Sequence, residues 1–169
     1  LEMKAVAIES MAARQRDLRA ADLTTFKRWL ATNRAANWAT TDLLCGTLIA
    51  PLLGRHPELV DDVAAWVSHR NLWVRRAAAV SLVRLASRGV SLDAAYGVAT
   101  ALRADRHDLR HKAAGWLLRE CGRTDPVRLE RYLRDAGPAL PRTTLRYAVE
   151  HFSPARRAAI MRATRAPVG

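Results

Sequence analysis

Three segments of the chain repeat one pattern at a nearly fixed interval, and that interval restricts the fold more than any single residue does. "NWATTDLLCG" starts at Asn37, "NLWVRRAAAV" starts 34 residues later at Asn71, and "HDLRHKAAGW" starts a further 36 later at His107. "PRTTLRYAVE" continues the series another 34 residues on, at Pro141. Self-similarity at this period indicates a helical solenoid of HEAT type, in which each helix pair buries its apolar face only by stacking on its neighbours.

Local chemistry agrees with that reading. Strand signals are almost absent, while apolar residues recur at helical spacing between breaks such as "NRAAN", "GRHPE", "SRGVS" and "DAGPALP". The pattern predicts helices near residues 2–16, 22–32, 38–53, 57–69, 72–88, 91–105, 108–121, 125–136, 141–150 and 153–163. Asn37, Asn71 and Ser153 stand where N-caps belong, and Pro57, Pro126, Pro141 and Pro154 suit first-turn positions that need no N–H. In "NLWVRRAAAVSLVRL", Val74, Ala77, Ala78, Leu82 and Leu85 make one apolar face, widened by Trp73, Val80 and Val83. A helix so broadly apolar is expected between two neighbours.

Several function classes lose support at once. The longest apolar run, Leu43 to Gly54, is too short to span a bilayer and contains Pro51. Cys45 and Cys121 lie in apolar helical contexts without a CxxC or Cys/His cluster, so reduced, packed thiols are expected rather than disulfides or structural zinc. His107 and His111 have the i, i+4 spacing of helical zinc ligands, but no third ligand or HExxH glutamate accompanies them. No Gly-rich phosphate loop or Cys–His–Asn set is present, so neither metal nor nucleotide cofactor is expected.

The charge balance turns attention to polyanions. Lys and Arg total 28 against 16 Asp and Glu, a net +12. The repeat alignment superposes Asp42, Arg76, Lys112 and Arg146 at one position, a column of three cations and one anion along a stacked surface. Arg75 with Arg76, His111 with Lys112, and Arg142 with Arg146 are expected in the opening turns of their helices, where a cation opposes the helix dipole by ~0.3–1 kcal/mol. A bound phosphate would reverse that penalty, which favours a nucleic-acid backbone over a merely solvated basic face. Asp42 would repel phosphates. It must therefore pair with a neighbouring Arg, or face something positive beside Trp38 and Trp116, which lie one helical turn from Asp42 and Lys112. Trp29, Trp66 and Trp73 are expected in the core.

"NLWVRRAAAVSL", "HDLRHKAAGWLLRECG" and "PRTTLRYAVEHF" closely resemble the AlkD-like family of alkylpurine DNA glycosylases, and the similarity runs from "LEMKAVAIESM" to the last helix. The resemblance implies an all-α fold, a right-handed α-solenoid of HEAT-like repeats with a concave basic face, as a single domain over residues 1–169. It implies binding of duplex DNA and metal-free hydrolysis of the N-glycosidic bond of cationic N3- or N7-alkylated purines, leaving an abasic site. By the same resemblance Asp42 is the catalytic carboxylate and Trp38 and Trp116 flank the lesion. Arg75, Arg76, Lys112, Arg119 and Arg146 are the expected DNA-binding residues, with an open groove in place of a deep base pocket.

The family usually carries further N-terminal helices, so this chain is expected to enter the fold partway and to expose an apolar edge at residues 1–30 that favours self-association. The full-length protein is expected to be a monomer located in the cytoplasm, at the nucleoid in a bacterium. Two rival readings remain: a non-catalytic binder of damaged or branched DNA, which Asp42 argues against, and a scaffold for acidic proteins. The glycosylase reading requires the Asp42 carboxylate to face the groove. A carboxylate locked in an interior ion pair, or turned away from the groove and its two indoles, would overturn it.

Overall fold

The computed structural model describes residues 2–165. The outer ends of the expected domain, residue 1 and residues 166–169, lie outside that range. The described residues contain helices and turns and no strand. In chain order the helices are α1 (Glu2–Ala12), α2 (Asp22–Ala31), α3 (Trp38–Leu44), α4 (Ala50–Arg55), α5 (Val60–Ala64), α6 (Leu72–Ala86), α7 (Leu92–Ala101), α8 (Asp108–Thr124), α9 (Pro126–Ala136), α10 (Arg142–Ala148) and α11 (Pro154–Ala163). The repeat segments thus open α3, α6, α8 and α10. These second helices stack in series: α6 packs on α3 and α8, and α8 packs on α6 and α10.

Capping fixes where each repeat begins. The Asn37 side chain accepts from the Thr40 N–H at 2.8 Å, and the Asn71 side chain accepts from the Trp73 N–H at 2.8 Å. His107 caps α8 through Nδ1, and Ser153 caps α11. Pro126 and Pro154 occupy opening positions. Pro57 opens a 3-10 turn, Pro57–Leu59, that leads into α5. Pro141 falls one residue earlier than expected, as the N-cap of α10. Consequently α10 is shorter than the expected 141–150, and Arg146 sits in its last turn, where its charge suits the dipole.

Pro51 does not break its helix. A π turn over Cys45–Ile49 shifts the register, with the Ala50 N–H donating to the Cys45 carbonyl, and the helical path continues from Trp38 to Arg55. The expected helix at 2–16 is cut short at Ala12, beyond which the chain forms a 3-10 turn, Gln15–Asp17.

The buried side chains form one connected core. In α6, Val74, Ala77, Ala78, Val80, Leu82, Val83 and Leu85 are all buried. Trp66 is buried as expected, whereas Trp29 and Trp73 are only half-buried against the core. Gly89 ends α6 with φ +75°, a conformation that disfavours any side chain, and its N–H donates to the Ala86 carbonyl. Gly115 serves packing. A Cβ there would fall 2.5 Å from the Tyr147 Cβ and 2.7 Å from the Thr144 carbonyl oxygen, so α8 and α10 approach this closely only over glycine.

Cys45 and Cys121 are free and buried, and burial pushes both thiols up to about 12. Iodoacetamide at pH 8 should leave both unlabelled in the native protein and alkylate both after unfolding. Asn71 also ties two repeats together, since its Nδ2 donates to the Ala31 carbonyl at 3.2 Å and to Asn33 Oδ1 at 2.9 Å. Asn71→Ala should therefore cost about 1–2 kcal/mol and lower the Tm by several degrees in a thermal scan.

Candidate functional site

The site begins at the cap of α3. Asn37 Nδ2 also donates to Thr40 Oγ1 at 2.9 Å, and Thr41 Oγ1 donates to the Ala35 carbonyl at 2.8 Å, so the first turn is pinned from both sides. Thr40 and Thr41 are buried, which turns the neighbouring Trp38 and Asp42 outward. Trp38 is 60% exposed, far too open for a core residue.

Asp42 is not alone. Arg76 Nε donates to its Oδ1 at 2.8 Å and Arg76 Nη2 donates to its Oδ2 at 2.7 Å, a bidentate pair between α3 and α6. Arg76 Nη1 donates to the Leu109 carbonyl, which extends the link to α8. The Arg76 side chain is 7% exposed and that of Asp42 16%, so the guanidinium forms the floor and the carboxylate reaches the cleft wall. The expectation that Arg76 grips phosphate is thereby corrected: all three of its nitrogen groups are spent inside the protein. Of the two alternatives open for Asp42, the structure shows the pair with a neighbouring Arg, which is the arrangement that counts against the glycosylase reading unless the carboxylate still reaches the groove. Its pair is bidentate and mostly buried, yet it lines the cleft. Arg76 takes one acceptor site on each carboxylate oxygen, and an ionised carboxylate has about four.

That cleft, about 420 Å³, is lined by Trp38, Asp42, Arg76, Leu109, Lys112, Trp116, Arg119 and Tyr147. It brings together Asp42 with both expected tryptophans. A contiguous cleft of about 660 Å³ shares Lys112, Arg119 and Tyr147 and adds Arg146, Thr143, Asp108 and Glu150. Three of the aligned positions therefore meet in the first cleft, and Arg146 follows in the second.

The cations of this surface are mostly matched, contrary to the column of bare charge read from the repeats. Lys112 pairs with Asp108 at 2.8 Å, which raises its ammonium pKa and lowers that of the Asp108 carboxyl. Arg119 bonds to Glu120 at 3.1 Å and to Glu150, whose carboxyl it holds below the usual range. Arg75 points elsewhere: it pairs at 3.4 Å with Asp105, which also binds Arg110, and it lines neither cleft. Among the described residues, Arg146 alone of the five expected DNA contacts has no ion pair. Repeat alignment compares like positions only. It cannot see a partner supplied from another position, such as Glu150 for Arg119.

Tyr147 escaped the sequence reading for a similar reason. Its equivalents in the other repeats are Leu43, Ala77 and Ala113, apolar positions that face inward in a helix pair. In the short α10 it emerges at the cleft, 37% exposed. Among the described residues, no group of three or more His, Cys, Asp or Glu could hold a metal ion, and no helix is long and apolar enough to cross a membrane.

Residues 1–152 match the sequence model of a family described as DNA alkylation repair enzyme. The chain belongs to that family. No curated protein matches it. Its fold is similar to that of a protein of Enterococcus faecalis described as a predicted DNA alkylation repair enzyme, with a TM-score of 0.78 and 19% identity, covering 88% of this chain and 68% of that one. At such identity the likeness concerns the fold, while the family match is what connects this chain to repair of alkylated DNA.

Membership in a DNA repair family sharpens what each cleft residue can do. Removal of Arg76 would leave Asp42 unheld and the Leu109 carbonyl without its donor. Arg76→Ala should lower stability by about 2 kcal/mol, less than for a fully buried pair because Asp42 opens to the cleft. Titrating duplex affinity against salt should give the wild-type slope for Arg76→Ala and a shallower one for Arg146→Ala.

Proposed function

We propose that this chain is a monofunctional DNA glycosylase of the AlkD-like type. It binds duplex DNA and hydrolyses the N-glycosidic bond of N3- or N7-alkylated purines such as 3-methyladenine and 7-methylguanine, leaving an abasic site. The observation that carries this reading is the meeting of Trp38, Asp42 and Trp116 in one open cleft beside Lys112 and Arg119.

A cationic purine departs readily, so the protein's task is to stabilise the deoxyribose as it turns positive and to direct water at C1′. Asp42 faces that charge with the acceptor sites Arg76 leaves vacant, accepts the proton of the attacking water, and gains strength where the bound duplex excludes solvent. Arg76 holds the carboxylate in one orientation, so little reorganisation accompanies the reaction. Trp38 and Trp116 line the sugar and the lesion edge by cation–π and C–H contacts. Lys112, Arg119 and Arg146 contact flanking phosphates, the first two by exchanging Asp108 and Glu150 for the backbone. The cleft is open, which suits a lesion held without deep extrusion of the base. The full-length protein acts as a monomer where genomic DNA lies, in the cytoplasm.

The Asp42–Arg76 pair gives one rival a foothold. Paired, Asp42 no longer repels phosphate strongly, so a non-catalytic binder of damaged or branched DNA is electrostatically tolerable. Single-turnover excision from duplex containing one N7-methylguanine separates the two. Asp42→Asn should slow base release by about 100-fold or more while duplex affinity holds or rises. An unaltered rate in that variant, with its fold intact by circular dichroism, would show that the chemistry lies elsewhere.

A further inference from the structure

The cleft has a third aromatic wall that the glycosylase reading leaves without a task. Tyr147 comes from α10, while Trp38 comes from α3 and Trp116 from α8, so the three rings reach the cleft from three different repeats. Tyr147 is held there by specific packing. Thr144 Oγ1 donates to the His111 carbonyl at 3.0 Å and Thr143 Oγ1 donates to Asp108 at 3.1 Å, which clamps α10 on the opening turns of α8. Gly115, the residue before Trp116, has no Cβ, and that gap is what lets the Tyr147 Cβ rest against α8. Tyr147 and Trp116 are thus positioned by adjacent residues of one helix.

Among the described residues the Tyr147 hydroxyl makes no hydrogen bond, and its ring carries no cation. Elsewhere in the molecule cations already cover aromatic faces: Lys27 lies over Trp66 at 5.8 Å, Arg128 over Tyr96 at 4.5 Å and Arg156 over Phe152 at 4.8 Å. Among the described residues no such contact involves Trp38, Trp116 or Tyr147, although Lys112 and Arg119 share their cleft. Those two cations are turned to Asp108, Glu120 and Glu150 instead. Three aromatic side chains, a carboxylate whose charge Arg76 already balances, and two further cations matched by their own partners leave the cleft without a net positive field, and the aromatic rings remain as its attraction for a positively charged guest.

We infer that Tyr147 is a specificity-determining residue that recognises positive charge on the nucleoside bound in this cleft, through its ring face and not its hydroxyl. The inference rests on the proposed glycosylase site and names a recognition element within it. It selects a cationic nucleoside over a neutral one, and Gly115 acts as its positioning residue.

Two readouts keep this claim separable from the reaction itself. The first is single-turnover excision of N7-methylguanine. The second is binding to duplexes carrying either a cationic pyrrolidine or a neutral tetrahydrofuran in place of one deoxyribose. Wild type should prefer the pyrrolidine duplex. Tyr147→Ala should cut that preference and the excision rate by about tenfold each, with the tetrahydrofuran affinity unchanged. Tyr147→Phe should retain both, and Gly115→Ala, which displaces the ring, should behave as Tyr147→Ala. If Tyr147→Ala keeps the cationic preference, or Tyr147→Phe loses it, the inference is overturned. A wild type that prefers the pyrrolidine duplex but excises nothing would refute the glycosylase reading and leave the recognition by Tyr147 standing. One that shows neither would refute both.

Discussion

One bidentate ion pair sets the geometry on which the candidate site depends. Arg76 crosses from α6 to hold both oxygens of Asp42 on α3 and reaches on to the Leu109 carbonyl on α8, so three successive second helices are locked at one point. A guanidinium so buried needs all its partners, since an unpaired charge in a helical core costs several kcal/mol. The same three bonds that satisfy it also fix where the carboxylate stands. A group that must stabilise charge on a passing sugar works best when its orientation is set beforehand, and a planar fork of N–H donors provides that better than a flexible ammonium could. In the proposed glycosylase, stability and catalysis therefore make the same demand of Arg76.

Around that point the surface is built by exchange of partners. Lys112 and Arg119 carry their own carboxylates, Asp108 and Glu150, which keep the side chains extended at the cleft and limit repulsion between neighbouring cations. These pairs are solvent-exposed on at least one side, so each is worth little on its own and can be traded for a phosphate at small cost. The cleft nearest Asp42 is accordingly less positive than the composition of the chain indicates. That difference reconciles a strongly basic protein with a site suited to a cationic guest.

Much of this was legible in the sequence, and the rest failed for identifiable reasons. The period of the repeats located α3, α6, α8 and α10 because Asn37, Asn71 and His107 each begin a helix by capping it. The meeting of Trp38, Asp42 and Trp116 followed from placing equivalent turns on one stacked surface. What escaped were the carboxylates that neutralise the cations of the column, such as Asp108 for Lys112 and Glu150 for Arg119. Of the two roles the sequence leaves open for Asp42, pairing with a neighbouring Arg is the one observed, and the partner is Arg76, the residue that the repeat superposes on it. Tyr147 was hidden by apolar counterparts, and its exposure arises only because α10 ends early and Gly115 lets it approach α8. The π turn that carries the helix past Pro51 lay beyond sequence reading as well, since a proline does not announce whether the register before it will shift.

Glycosidic-bond cleavage in this cleft is the central proposal. The most direct measurement is chromatographic: the amount of free 7-methylguanine released from N7-methylated duplex by the wild-type chain, set against the same duplex without protein. Release well above spontaneous depurination is expected, with abasic sites appearing in equal number. Retention of the duplex by the protein with no base released beyond that background would contradict it.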